Sequence, residues 1–540
     1  MRARLLLLLL LLLLLLAAAR CASAQPLADQ VHLSLSGAGP AEMVVEFVSY
    51  SAAPACVFYS RDPSTLIAPS TPSPPTPAPG APGWLQAPGY LIDGYDLFAA
   101  NMTVAAATAW CGGNASCAGF TFADGDATCG GAACHMYFKT GLQYAPSAGW
   151  TTLYKPPAPL SNASASSLEY RNASLGPIGW LHAAVLRELA PGRWYYVAGG
   201  CGGEDWSQLR WFEAAPARAR FAVFADFGMV NDESVGALYA DAQAGAFDYI
   251  LLAGDQAYDF DSNGGVTGNE FMRMLEGAAA LYPLHVAPGN HESHNNFSQY
   301  SARYAGIAAN AGRLSGSDSA IFYSLDIGLA HFIFFSTEVY WAQPAVVARQ
   351  AAWMAADLAR ANANRAAVPW IIAIAHKAWM MDTTWCPPGG GPCSANGTWF
   401  DEPLHEAGVD LYFVGHMHEY RRFTPAYGTR GLLDTASMSG AGYSQVTDPQ
   451  YMQTITSGAI GCPEVQPASC GGPSPSDPAN PTAACSRNYG YGYLEIVNAT
   501  TATWLWQTKV PHAGSPDPAF QDSVTFTVHH HGPRSPVPRQ

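Results

Sequence analysis

The chain has 540 residues, 49% of them hydrophobic and 12% charged, with a formal net charge of −15. This is enough apolar material for a sizeable core and several domains, which excludes a disordered protein. The acidic balance also lacks the basic footprint of a nucleic-acid-binding chain.

The first residues, MRARLLLLLLLLLLLLAAARCASA, place Arg2 and Arg4 ahead of twelve leucines and end in Ala22-Ser23-Ala24 before Gln25. A charged start, an apolar run and a small-residue cleavage site make up a signal peptide, so residues 1–24 are set aside from the fold. As an uncleaved anchor the run falls short of the ~20 residues a spanning helix needs. No later segment is long and apolar enough to cross a bilayer. The expectation is a secreted, extracellular protein, or one delivered by the same route to a vacuolar or lysosomal lumen. Losing Arg2, Arg4 and Arg20 moves the net charge from −15 to −18.

Seven Asn-X-Ser/Thr triplets, at Asn101, Asn114, Asn162, Asn172, Asn296, Asn396 and Asn498, mark a glycoprotein surface. Of the twelve cysteines, Cys21 lies in the leader, and the remaining eleven are expected to form disulfides in an oxidising compartment. The local spacings suggest Cys111 with Cys117, Cys129 with Cys134 and Cys386 with Cys393. The odd number leaves one thiol free or able to link two chains as a homodimer. None of the cysteines has zinc-type spacing with histidines.

Residues 30 to 60 alternate apolar and polar side chains between turn signals, as β-sandwich strands do. The proline-rich run from Ser70 to Gly83 cannot continue a sheet and reads as a linker. Strand pattern returns at 179 to 200, where Pro191-Gly192 turns between two apolar runs. Residues 25–66 and 160–216 therefore predict one sandwich, of fibronectin type III-like form, split by an insertion at 67–159. The insertion has four cysteines, many aromatics and its own turns, as a small disulfide-stapled module would. Its helix with a cysteine, second cysteine, GFTF run and closing aromatic strand resemble PAN/apple-like modules, a resemblance that implies a glycan or protein ligand. A solvent-exposed decorative insertion is the alternative.

From Arg220 the texture changes. FAVFADFG, YILLAGD, YPLHVAPGNHE, AHFIFFSTE, PWIIAIAHK and VDLYFVGHMH each end a β-rich run in polar residues, and Val346 to Arg365 is the clearest helix between two of them. This predicts an α/β domain over 217–530, with a tail at 531–540, whose polar residues collect at one edge of its sheet. Those strand ends supply Asp226, Asp255, Tyr258, Asn290, His291, His376, His416 and His418. Singly each is unremarkable, since a strand-end aspartate is usually a turn former. Together, in order, they read as a metal site. His331, in GLAHFIFF, is expected to be a buried, hydrogen-bonded histidine, and His529 to His531 an exposed tail.

D-F-G at Asp226, G-D-Q-A-Y at Gly254 to Tyr258, G-N-H-E at Gly289 to Glu292, A-I-A-H ending at His376 and G-H-M-H at Gly415 to His418 resemble the five metal-binding motifs of purple acid phosphatases, binuclear metallophosphoesterases. The resemblance spans residues 27 to 65 and 165 to 530. It implies a metallophosphoesterase β-sheet sandwich flanked by helices, preceded by the fibronectin type III-like domain. It also implies that Asp226, Tyr258 and His418 hold Fe(III), that Asn290, His376 and His416 hold a divalent ion (Zn, Fe or Mn), and that Asp255 bridges the two. The tyrosine distinguishes the purple enzymes from the wider phosphoesterases. A phenolate, like a carboxylate, suits the harder ion, while imidazole and a neutral amide suit the divalent one.

Two metals about 3.5–4 Å apart clamp an in-line phosphoryl displacement and lower the pKa of bound water, giving a hydroxide nucleophile. The implied function is a secreted acid phosphatase acting on phosphate monoesters, with His291 binding the phosphate. A phosphodiesterase or nucleotide pyrophosphatase on the same site is the alternative enzyme. A carbohydrate- or surface-binding protein with a vestigial metal site is the alternative from another class. One departure concerns the general acid: no histidine follows His376 until His405, leaving Lys377, Asp382 and His294 as candidates.

Overall fold

The computed structural model describes residues 28–536 apart from 51–52, 62, 64–65, 67–75, 78–83, 89, 92–95, 115–116, 118, 124–128, 130–131, 140–143, 146–148, 155–160, 171–177, 202–206, 231–232, 340–342, 379–397, 428–431, 465–472 and 478–480. The leader, most of the proline-rich run, the Cys386 and Cys393 pair, Asp382 and the triplets at Asn172 and Asn396 lie outside the described residues.

Two four-stranded antiparallel sheets form the first layer pair. One orders Asp29–Ser34, Met43–Ser49, Gly179–Leu186 and Ser166–Tyr170; the other orders Ser161–Ser164, Ala55–Ser60, Gly192–Gly200 and Arg210–Ala214. Alternation explains their packing: Val31 and Leu33, Val45 and Phe47, and Val57 and Tyr59 are buried two residues apart and pack with Tyr196, Ala198 and Phe212. A Cys56–Cys201 disulfide closes 145 residues of chain.

Between Ser60 and Ser161 the chain builds a six-stranded sheet with a helix, Val104–Gly113, capped by the Thr103 hydroxyl accepting from Ala106 N at 3.2 Å. Its core of Ala107, Phe120, Phe122, Met136, Phe138 and Leu153 is separate from that of the rest of the protein. Cys111–Cys117 and Cys129–Cys134 are bonded, as their spacing suggests. Cys462 is buried and so is not placed to link two chains.

From Arg220 two mixed sheets face each other. An eight-stranded sheet carries the parallel strands Leu284–Ala287, Tyr249–Ala253 and Arg220–Phe224. A seven-stranded sheet carries the parallel strands Ala330–Phe334, Trp370–Ile374, Leu411–Val414 and Gln453–Ser457. Near-continuous apolar runs suit strands buried on both faces. The sheets meet through Phe221 against Phe332 at 4.7 Å and Phe413 against Trp504 at 4.9 Å between ring centroids. Helices Val235–Ala244, Val266–Ala279 and Pro344–Ala363 flank them, the last beginning at a proline, whose missing N–H is no loss at a first helical position. The architecture is an α/β sandwich of two mixed sheets flanked by helices and preceded by a β-sandwich. Among the described residues no helix is long and apolar enough to cross a membrane.

His331 is buried, with Nδ1 2.7 Å from Asp326 Oδ1 and Nε2 3.0 Å from Asp357 Oδ2. Burial pulls its pKa down, but the bonds and charges of the two carboxylates outweigh this and raise it from 6.5 to about 9. The folded state thus favours the imidazolium. Its contribution, about 3 kcal/mol, is complete below the unfolded pKa and disappears as pH rises through the folded one. His331→Gln should flatten the melting temperature's dependence on pH between about 6.5 and 9.

His531 corrects the expectation of an exposed tail. Its side chain is 7% exposed, its Nδ1 lies 3.2 Å from Asp410 Oδ1, its Nε2 2.9 Å from Ala499 O, and its ring packs on Trp370. A polar anchor of this kind leaves no hydrophobic period in the sequence to announce it. His529 and His530 are exposed.

Candidate metal centre

The carboxyl ends of the parallel strands of both sheets converge on one edge. Asp226 follows Arg220–Phe224 by two residues, Asp255 follows Tyr249–Ala253 by two, His376 follows Trp370–Ile374 by two and His416 follows Leu411–Val414 by two. Asn290 and His291 open the turn after Leu284–Ala287. Each chain must leave its strand abruptly to aim a side chain inward. Asp226, Asp255, Tyr258 and His416 accordingly have φ of 61°, 52°, 54° and 69°, a left-handed backbone that costs non-glycine residues on the order of 1–3 kcal/mol each and clusters at functional sites. Two glycines are required by close approach: a Cβ at Gly289 would lie 2.2 Å from Asp255 Oδ1, and one at Gly415 would lie 2.4 Å from Ala225 Cβ and 2.5 Å from Asp226 Oδ2.

The structure brings together all seven residues expected to be ligands. Tyr258 Oη lies 3.0 Å from His418 Nε2 and 3.4 Å from Asp226 Oδ1, and His418 Nε2 lies 3.6 Å from the same oxygen. His376 Nε2 lies 3.2 Å from Asn290 Oδ1 and 3.0 Å from Asp255 Oδ2. Donor atoms of Asp255, His376 and His416 fall within 4.8 Å of one another. Asp255 thus stands in the second group, and its charge acts on Asp226, Tyr258 and His418 of the first. His416 N donates to both Asp226 oxygens, at 3.1 and 2.9 Å, which ties them further.

Burial sets the electrostatics. Asp226 and Asp255 are 0% and 1% exposed. Burial, and after it Asp255, push the Asp226 carboxyl well above its usual range against the opposing pull of His376. Burial also opposes ionisation of Asp255, but His376 beside it outweighs this and holds the carboxyl below its usual range. His376 is correspondingly raised to about 10 by Asp255 despite burial. Burial and neighbouring His376 depress His416 to about 2, and burial chiefly depresses His418. Burial and both aspartates raise the Tyr258 phenol. Two buried carboxylates, with His416 and His418 beside them resisting protonation, form a site for cations. The donors are carboxylates, imidazoles, a phenol and an amide, the chemistry of hard to borderline first-row metals.

His291 stands at the mouth. Its N donates to Asp255 Oδ1 at 2.9 Å, its Nδ1 is 2.9 Å from Asp259 Oδ1, and its ring packs on Tyr258 at 4.4 Å between centroids. Burial lowers its pKa, but Asp259 and Asp255 raise it to about 9, so a cationic imidazolium faces the opening.

Sequence reasoning left some residues without a role. Glu292, inside the G-N-H-E run, accepts from Asp255 N, Gln256 N and Gly289 N at 2.9, 2.8 and 2.7 Å and so splices two ligand loops together. Asp259, next to Tyr258, orients His291. Adjacency to the motifs was a signal for both; Glu464, which also reaches the site, had none. Of the general-acid candidates, Lys377 is committed to Glu338 at 2.9 Å. The exposed His294 lies 3.4 Å from Asp259 and 3.5 Å from Asp261.

Residues 219–420 match the calcineurin-like phosphoesterase family. The chain is 34% identical over 335 residues to human (Homo sapiens) acid phosphatase type 7, covering 59% of this chain and 72% of that protein. The corresponding mouse (Mus musculus) protein is 33% identical with the same coverage. Purple acid phosphatase 21 of Arabidopsis thaliana is 27% identical over 357 residues, covering 64% and 72%. Among solved structures, purple acid phosphatase PPD1 from yellow lupin (Lupinus luteus) seeds superposes with a TM-score of 0.58 at 16% identity, over 93% of this chain and 74% of that one.

Proposed function

This chain belongs to the purple acid phosphatase family of calcineurin-like metallophosphoesterases, metal-dependent phosphomonoesterases, and from that premise we propose that it hydrolyses phosphate monoesters in acid at a binuclear Fe(III)–M(II) centre. The observation that carries this reading is the cluster of Asp255, His376 and His416 donor atoms within 4.8 Å of one another, tied to Asp226 of the other donor group through His416 N. In it, Asp226, Tyr258 and His418 would hold the ferric ion, Asn290, His376 and His416 would hold Zn, Fe or Mn, and Asp255 would serve both. Bound there, the metals supply electrophilic stabilisation of phosphoryl oxygens and a water made acidic enough to attack. The protein's own groups position the reaction. His291, held by Asp259, presents its Nε2 to the ester phosphate, and Glu292 fixes the loops that carry Asp255 and Asn290.

Secretion and glycosylation fit the disulfides and the exposure of Asn101, Asn162, Asn296 and Asn498. For the stapled unit before the second half of the sandwich, the separate core and two internal disulfides support reading it as a module of its own.

The test is to compare kcat/KM for p-nitrophenyl phosphate and bis(p-nitrophenyl) phosphate from acid to neutral pH, with metal analysis of the same preparation. A monoester preference of at least about 10²-fold, strongest in acid, with two metals per chain, is expected. A diester preference would transfer the site to phosphodiesterase chemistry.

A further inference from the structure

The segment Ile460 to Glu464 contributes to the site a carboxylate that belongs to none of the five motifs. Its backbone is well anchored. Ser234 N donates to Ile460 O at 3.2 Å and Gly228 N to Gly461 O at 2.8 Å. Cys462 is buried, and its Sγ donates to Glu464 O at 3.7 Å. Pro463 packs so closely on Gly228 that a Cβ there would lie 2.6 Å from its Cδ. From this rigid base the Glu464 side chain, 53% exposed, reaches back over the opening: Oε1 is 3.3 Å from His291 Nε2 and Oε2 is 3.8 Å from His418 Nε2.

That position has a chemical consequence. Asp226, Asp255, Tyr258, His376 and His418 behind His291 are buried, whereas His291 and Glu464 border solvent. An ester whose phosphoryl group is held at His291 and the metal-binding side chains must direct its alcohol part outward, past Glu464. Asp255 and Asp259 also face His291, at 3.9 and 2.9 Å, but are less exposed than Glu464, at 2% and 27% against 53%. Glu464 is the carboxylate facing His291 that lies nearest the solvent, toward which the alcohol part is directed.

Resting on the phosphomonoesterase reading, we propose that Glu464 sets the charge preference of the site: it disfavours phosphoryl donors whose leaving group carries further negative charge, such as nucleoside diphosphates, and favours monoesters of neutral or cationic alcohols. Like charges about 6 Å apart at a protein surface change a rate constant by about tenfold, and the effect weakens with salt. No change in the metal ligands is involved, so the effect belongs to substrate choice and not to the chemical step.

The experiment measures kcat/KM for ADP and for phosphoethanolamine at about pH 6.5, where free carboxylates are ionised, in wild type, Glu464→Gln and Glu464→Asp. The expected result is an ADP-to-phosphoethanolamine ratio about tenfold higher in Glu464→Gln and unchanged in Glu464→Asp. For the wild type alone, raising salt to about 0.5 M should move the ratio toward that of Glu464→Gln. A ratio unaltered by Glu464→Gln, whatever happens to the absolute rates, would overturn the proposal, as would a salt-independent wild-type ratio if that variant fails to fold. A wild type inactive toward both esters and toward p-nitrophenyl phosphate would overturn the phosphatase reading itself, and this inference with it.

Discussion

Asp255→Asn will lower kcat/KM for a phosphate monoester by at least about 10³-fold and leave the chain with fewer than two bound metals. The substitution is nearly isosteric, and Oδ1 still accepts the His291 backbone N–H, now 2.9 Å away. What changes is charge. Oδ2, 3.0 Å from His376 Nε2, becomes neutral or is replaced by an N–H that meets the imidazole nitrogen and cannot bind a cation. In the wild type the buried Asp255 carboxylate raises His376 to about 10, stands with His376 and His416, and acts electrostatically on Asp226, Tyr258 and His418 of the other donor group. Removing its charge therefore weakens both halves together, whereas substitution at Asn290 or His418 removes one donor from one half. Elemental analysis and steady-state kinetics on the same preparation decide the matter. Two metals per chain with activity within tenfold of wild type would show that Asp255 is not shared.

The ligand residues were legible because parallel strands deliver their chain ends to one edge, and each of those ends is a polar residue following a β-rich apolar run. YILLAGD and VDLYFVGHMH show the transition directly, and the structure places Asp255 and His416 two residues beyond the strand in each case. The parts not legible lie in contacts between segments distant in sequence. Glu292 was readable as part of a motif, but its three backbone donors lie 3 to 37 residues away and depend on how two loops fold over it. Glu464 comes from a loop after an unremarkable strand and reaches His291 across 173 positions. Cys56 and Cys201 pair only because the two halves of an interrupted sandwich come back together, and local cysteine spacing carries no trace of that.

Tyr258→Phe is expected to abolish a broad visible absorption band and to lower kcat/KM by about 10²-fold while the protein remains folded. The tyrosine is 8% exposed and packs its ring on His291, contacts that phenylalanine keeps. The hydroxyl alone is lost, and with it the 3.0 Å contact to His418 and the 3.4 Å contact to Asp226. The backbone argues that this hydroxyl has a purpose. Ala257, Tyr258 and Asp259 have φ of 62°, 54° and 79° in succession, a run costing several kcal/mol by the usual scale of about 1–3 per residue, and a buried tyrosine with only a packing role needs no such turn. Burial and the neighbouring aspartates raise the phenol's pKa, so forming the phenolate requires a strongly charged cation at the oxygen, which ferric iron supplies more effectively than a divalent ion. A ferric phenolate absorbs visible light by charge transfer, and a divalent zinc or manganese site does not. A coloured wild type and a colourless variant that retains the divalent ion would place iron on Tyr258. A colourless wild type carrying two metals would remove iron from the assignment and leave Tyr258 as a hydrogen-bond partner that positions His418.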